Sequence, residues 1–82
     1  NNPFQTGRGT VKGAKDLGSD VPEGHLYLVD LDIQLPGWHP YTASVSTPVP
    51  PDAANKLAVG TQVSIKVHPS SPNDVKVDWR AP

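Results

Sequence analysis

The sequence contains no cysteine and no methionine. It has seven lysine and arginine residues and eight aspartate and glutamate residues. The absence of cysteine excludes disulfide bonds and thiolate metal sites, so the hydrophobic core alone must stabilise the fold. The formal net charge is −1 and the cations are scattered, whereas nucleic-acid binders usually carry a basic surplus or stripe. Nucleic acid is therefore not an expected partner. No apolar run approaches the roughly 20 residues of a membrane-spanning helix.

The chain begins Asn1-Asn2-Pro3-Phe4 without an initiator methionine. We therefore expect a processed N-terminus or a piece cut from a longer protein. Residues 1–8 are predicted to be a linker or flexible N-terminus, and residues 9–80 a single β-domain. A chain of 82 residues is long enough for one domain with a modest core.

The apolar composition favours strands. Valine is the commonest apolar residue, with ten copies against six leucines and two isoleucines, and β-branched side chains suit a pleated surface. Alternation of apolar and polar residues, bounded by proline and glycine, predicts five strands. They are residues 9–15, 25–35, 41–47, 61–68 and 75–79.

The segments between these strands predict their connections. Gly13 indicates a bulge in the first strand or a close approach of another backbone. Residues 16–24 have the composition of a turn. Pro36 and Gly37 predict a tight turn that pairs the second and third strands as a hairpin. Residues 52–57 predict one or two helical turns, with Asp52 as a candidate N-cap.

The resulting order is three strands, a short helical crossover and two strands. This order predicts an all-β fold: a small five-stranded barrel or bent sheet with an OB-like arrangement. An SH3-like barrel and a plain meander sandwich are the alternatives.

No catalytic or metal-binding constellation is visible. The histidines at 25, 39 and 68 lack ligand spacing. Asp30 and Asp32 point the same way from one strand, but no further oxygen ligands accompany them. The serines lack the flanking glycines of a nucleophile elbow, which argues against a catalytic serine. No glycine-rich loop precedes a helix, which argues against a phosphate-binding loop. The sequence therefore predicts a protein that is not an enzyme and that uses no cofactor and no metal.

Trp38, His39 and Tyr41 form the cluster that we single out as a candidate partner-binding site. An exposed tryptophan at a rigid turn can anchor a partner. The alternative is that Trp38 folds back and covers an open end of the barrel. Trp79 alternates with two valines and is predicted to be in the core.

Several segments together resemble a family of bacterial, actinobacterial-type, membrane-tethered domains of unknown function. These are GTV at 9–11, PYTASV at 40–45, LAVGTQVSIKV at 57–67 and HPSSPNDV at 68–75. The family pattern is an L-x-x-G-x-x-V-x-V strand, in which Ile65 takes the place of the last valine here, and a P-x-x-P turn before a last short strand. The resemblance implies an extracytoplasmic β-domain next to a transmembrane helix that lies outside this chain. It implies no activity and no catalytic residue.

We therefore predict a non-enzymatic binding or interaction module, the soluble extracytoplasmic domain of a membrane-associated protein. Its expected partner is a protein or a component of the cell envelope, and the domain itself is expected to be a monomer. The alternative function is an OB-type binder of oligonucleotides or oligosaccharides.

Overall fold

The computed structural model describes residues 4–81, in which it places five strands and one short helix. The elements are β1 (Gln5–Val21), β2 (Gly24–Gln34), β3 (Tyr41–Val49), a 3₁₀-helix (Pro51–Leu57), β4 (Gln62–His68) and β5 (Ser71–Asp78). Residues 1–3, part of the predicted linker, lie outside the described residues.

The strands form one antiparallel sheet in the order β3-β2-β1-β4-β5. The central strand β1 pairs with β4 from Gln5 to Thr10 and with β2 from Arg8 to Val21. The sheet is bent so that its two outer strands, β3 and β5, contact each other without joining the ladder. The prediction of a bent sheet or small barrel with an OB-like order and a crossover helix after the third strand is confirmed. A plain meander would instead place the strands in sequence order.

The core lies on the inner face of the bent sheet. Most of the predicted inward positions of the second and fourth strands are buried there, and Trp79 is 4% exposed. The buried apolar residues are Val11, Val29, Leu31, Ile33, Leu35, Ala43, Val49, Ala53, Val63, Ile65, Val67, Val75 and Trp79. Because every strand contributes to this set, the core holds the two halves of the sheet together.

The first strand is much longer than predicted. It begins at Gln5 instead of residue 9 and runs to Val21, so the predicted turn over residues 16–24 is wrong. The turn itself comprises only Pro22 and Glu23. The predicted bulge is confirmed, because Lys12 is an extra residue between the paired positions Val11 and Gly13.

Two further local predictions are wrong. The third strand continues through Pro48 to Val49, because β3 is an edge strand and proline is tolerated at an edge. Asp52 is not the N-cap: Pro50 precedes the helix, and no side chain caps it. Pro51, at the first helical position, already has the backbone angle that a helix start requires.

Candidate functional site

The main candidate site is the seam between β3 and β5, where the bent sheet is not closed. Within residues 4–81 no backbone hydrogen bond joins the two strands. Two side-chain hydrogen bonds span the seam instead, from Tyr41 to Pro72 and from Trp79 to Thr47. The earlier residue of β3, Tyr41, contacts position 72, and the later residue, Thr47, contacts position 79, directly after β5. β3 and β5 therefore run in the same direction.

The contact between Trp79 and Thr47 is buried. The indole Nε1–H of Trp79 donates to Oγ1 of Thr47 at 3.1 Å. Thr47 is 7% exposed and is the one buried polar residue among the described residues. An indole N–H needs a partner when it is buried. Thr47 thus allows a large aromatic side chain to close one end of the seam.

The contact between Tyr41 and Pro72 involves the predicted aromatic cluster. Tyr41 Oη donates to the backbone oxygen of Pro72 at 2.7 Å, and burial raises the pKa of the Tyr41 phenol above its usual value. The rings of Trp38 and Tyr41 lie 6.2 Å apart, and both are half-buried against the core. His39 is exposed in the same loop. The structure therefore brings Trp38 and Tyr41 together at one end of the seam, with His39 facing solvent.

A groove of about 550 Å³ lies along this seam. Its apolar lining comes mainly from inner-facing side chains: Val45, Val75, Val77 and Trp79. Its charged residues are Glu23, Asp74, Asp78, Lys76 and Arg80. Arg80 lies 3.7 Å from Asp52 in the 3₁₀-helix, so part of its charge is compensated locally. The groove is therefore apolar along its floor and slightly acidic at its rim.

A second depression of about 430 Å³ lies on the outer face of β2 and β3. Asp30 accepts a hydrogen bond from the Ser44 hydroxyl at 2.6 Å, and Asp32 lies 3.2 Å from the Lys12 ammonium. Each carboxylate therefore has its own neighbour. In the described part of the chain, no group of three or more His, Asp or Glu side chains is arranged to hold a metal.

A third polar cluster lies on the hairpin arm formed by the end of β1 and the start of β2. His25 contacts Asp16 through Nε2 and Asp20 through Nδ1, each at 2.5 Å. The hydrogen bonds to Asp16 and Asp20 raise the pKa of His25, and the bond from His25 lowers the pKa of Asp16. The two carboxylates lie on opposite sides of the ring and do not converge on one point.

No family model, curated protein or solved structure matches the chain. The resemblance to a membrane-tethered family therefore stays a prediction. No helix among residues 4–81 has the length and apolar character needed to cross a membrane.

The seam is not apparent from the sequence, although most of its residues lie in predicted strands. Thr47 and Trp79 both lie in predicted strands, but their contact spans 32 positions and depends on the strand order. The available indication was a threonine at an inward position of a strand otherwise lined by apolar or aromatic residues. Such a residue predicts a buried hydrogen-bond partner.

Proposed function

We propose that this domain is a non-enzymatic interaction module that binds an extended peptide along the seam between β3 and β5. One observation carries the proposal. Two edge strands run in the same direction on either side of a groove of about 550 Å³, and no backbone hydrogen bond joins them in the described residues.

A peptide strand can supply the backbone hydrogen bonds that are missing between β3 and β5 within residues 4–81. In this part of the chain the facing edges of the two strands make no backbone hydrogen bond to each other, and the Pro72 carbonyl accepts from the Tyr41 side chain. Such edges template the addition of another strand. Because the two strands run in the same direction, one inserted strand can be antiparallel to both. Because β3 and β5 contact each other, the insertion of such a strand separates them and breaks the hydrogen bonds from Tyr41 and Trp79. The strand then joins both edges and closes the sheet into a barrel.

The side chains of the groove favour a peptide with alternating character. The half-buried, inner-facing residues Val45 and Val77 offer apolar contacts to alternate side chains of an extended segment. The rim residues Glu23, Asp74 and Asp78 favour basic or neutral residues between them. A phosphodiester chain would instead meet three carboxylates, and it offers few hydrogen-bond donors to the strand edges.

The test uses selected peptides and one blocking variant. A phage-displayed library of random peptides is selected on the immobilised domain, and a recovered peptide is titrated into ¹⁵N-labelled protein. We expect the largest amide shifts along β3 and β5. Ser46 is exposed and lines the groove, so Ser46→Trp should fill the groove and weaken binding at least tenfold.

The matched control is Thr42→Trp, an equally large substitution on the same strand and outer face, away from the groove. It should leave affinity within a factor of two. Shifts confined to Trp38 and His39, or equal affinity of the two tryptophan variants, would contradict the seam. If the shifts are confined to Trp38 and His39 and Trp38→Ala abolishes binding, the peptide binds to the predicted aromatic cluster instead of the seam.

A second candidate function is an OB-type binder of oligonucleotides or oligosaccharides. The strand order with a crossover helix after β3 favours it. The outer face of β2 and β3, which carries ligands in many OB folds, has Asp30 and Asp32 and no aromatic platform. Titration of the labelled domain with single-stranded DNA, RNA and short glycans should therefore give no saturable shifts.

The sequence resemblance extends the proposal to a location. From that resemblance we propose that the module lies outside the cytoplasmic membrane. We also propose that it is a monomer whose partner is a protein or an envelope component. A hydrophobic segment of roughly 20 residues in the full-length gene product would support the tether, and its absence there would contradict it. Sedimentation of the 82-residue domain tests the monomer.

A further inference from the structure

The hairpin arm contains a second, larger irregularity in β1. The β1–β2 ladder pairs Asp16 with Tyr27 and next pairs Asp20 with His25. Three residues of β1 therefore lie opposite a single residue of β2. The backbone N–H of Gly18, within this bulge, donates to Asp16 Oδ1 at 2.7 Å. Asp16 and Asp20 are the two ends of the bulge, and both lie on the face of the arm that carries His25.

His25 joins the two ends. Its Nε2 lies 2.5 Å from Asp16 Oδ1 and its Nδ1 lies 2.5 Å from Asp20 Oδ1. A neutral imidazole has one N–H donor and one lone pair, whereas an imidazolium has two donors. Ionised carboxylates can only accept. With both carboxylates ionised, only the imidazolium can donate to both of them.

We infer that His25 is a proton-operated latch on the bulge of β1. In its charged form His25 holds both Asp16 and Asp20 and closes the bulge. When His25 loses a proton, one ring nitrogen presents a lone pair to a carboxylate. One contact is then repulsive, and one end of the bulge is released.

The groups around His25 set the direction of this response. Asp16 and Asp20 face it from β1, and the ring of Tyr27 packs edge-on at 5.2 Å from β2. Its neighbour on β3 is Val49, which does not titrate, and Glu23 is the carboxylate of the adjacent turn. The two aspartates are therefore the carboxylates that His25 contacts directly.

The pKa directions give the pH window of the latch. The pKa of His25 is raised above 6.5, so its contribution is complete below pH 6.5 and is lost as pH rises through the higher folded value. The pKa of Asp16 is lowered below 3.8, so its contribution is present above pH 3.8 and is lost only in stronger acid. The latch is therefore closed in mildly acidic solution and open in mildly alkaline solution.

Release affects a defined part of the arm. Leu17 lies within the bulge and Val21 directly after it, and both are exposed apolar residues, at 40% and 37%. Their methyl groups do not exchange with solvent, so they report mobility at any pH. Val59, which is 72% exposed and lies after the 3₁₀-helix, is a reporter from another part of the molecule.

The experiment measures ¹³C-methyl relaxation of Leu17 and Val21 in the labelled domain at about pH 5.5 and about pH 8.5. We expect their order parameters to fall clearly at the higher pH, with the midpoint at the His25 titration followed by its ring proton shift. Val59 should not change. In Asp20→Asn the His25 midpoint should move to lower pH, because one carboxylate is gone.

His25→Gln and His39→Gln are the paired variants. Glutamine keeps donor and acceptor atoms but does not titrate, so His25→Gln should give Leu17 and Val21 signals that no longer depend on pH in this range. His39→Gln removes an exposed histidine in another loop and should keep the wild-type response. Equal mobility at the two pH values in the wild type would overturn the inference, as would a pH response that survives in His25→Gln. Unchanged methyl shifts of the buried Val29 confirm that each variant is folded.

Discussion

Replacement of Thr47 by valine tests the buried contact that closes one end of the seam. Valine keeps the shape of threonine but has no acceptor, so the indole N–H of Trp79 would be left buried without a partner. A buried donor without a partner costs about 1–3 kcal/mol. In a domain of this size each 1 kcal/mol lowers the melting temperature by roughly 4–8 °C. Thr47→Val should therefore lower the melting temperature by at least about 4 °C.

A double-mutant cycle with Trp79→Phe separates this hydrogen bond from packing. Phenylalanine has no N–H, so with Trp79 replaced Thr47→Val loses only the long 3.3 Å hydrogen bond from the Thr47 hydroxyl to the Pro48 oxygen and should cost little. The expected coupling free energy is about 1 kcal/mol or more. Unfolding is followed by far-ultraviolet circular dichroism in urea, because tryptophan fluorescence changes when Trp79 is removed. Thr42→Val, on the exposed outer face of the same strand, is the control and should stay within about 0.5 kcal/mol of wild type.

Two results would refute the reasoning. If Thr47→Val were as stable as Thr42→Val, the hydroxyl of Thr47 would contribute nothing to the seam. If the two substitutions in the cycle were additive, Thr47 and Trp79 would act independently despite their 3.1 Å separation.

Three further substitutions test other contacts, each by the free energy of unfolding in urea. Tyr41→Phe removes the hydroxyl that donates to a β5 carbonyl at 2.7 Å and should cost about 0.5–1.5 kcal/mol; no loss would mean that this end of the seam is held by packing alone. Gly24 and Gly37 both have positive φ, but only at Gly24 would an added Cβ clash with the backbone of Val49. Gly37→Ala should therefore cost roughly 1–2 kcal/mol and Gly24→Ala clearly more. Equal costs would contradict the clash. Lys56→Met removes an ammonium that donates to the carbonyls of Trp79 and Ala81, at 2.6 and 3.0 Å. The substitution should cost about 1 kcal/mol and speed amide exchange at residues 80 and 81. Unchanged exchange there would show that Lys56 does not hold this segment.

The elements that follow a simple period were predictable from the sequence. Along β2 the inner positions Val29, Leu31 and Ile33 are buried, as their alternation with polar residues predicts. The order of strands and helix also led to the correct sheet arrangement. Both depend on local patterns, which a single sequence contains.

The errors come from properties that depend on strand pairing. Residues 16–20 have the composition of a turn, but they form the bulge that His25 joins. Pro48 ends a strand only if that strand is central, and β3 is at the edge. The seam and the arm cluster were not predictable for the same reason, because their partners come from different strands. The binding role of Trp38, His39 and Tyr41 stays a prediction.

The position of β1 at the centre of the sheet has a consequence for the rate of folding. The β1–β2, β2–β3 and β4–β5 hairpins are local. In the β1–β4 ladder, by contrast, even the pair closest in sequence, Thr10 with Gln62, is separated by about 50 residues of chain. Closing so long a loop costs entropy before any core contact compensates for it. We therefore expect the two local units to form early and their docking along the β1–β4 ladder to limit the rate. Folding should then take milliseconds to seconds, as in other small β-proteins rich in distant contacts.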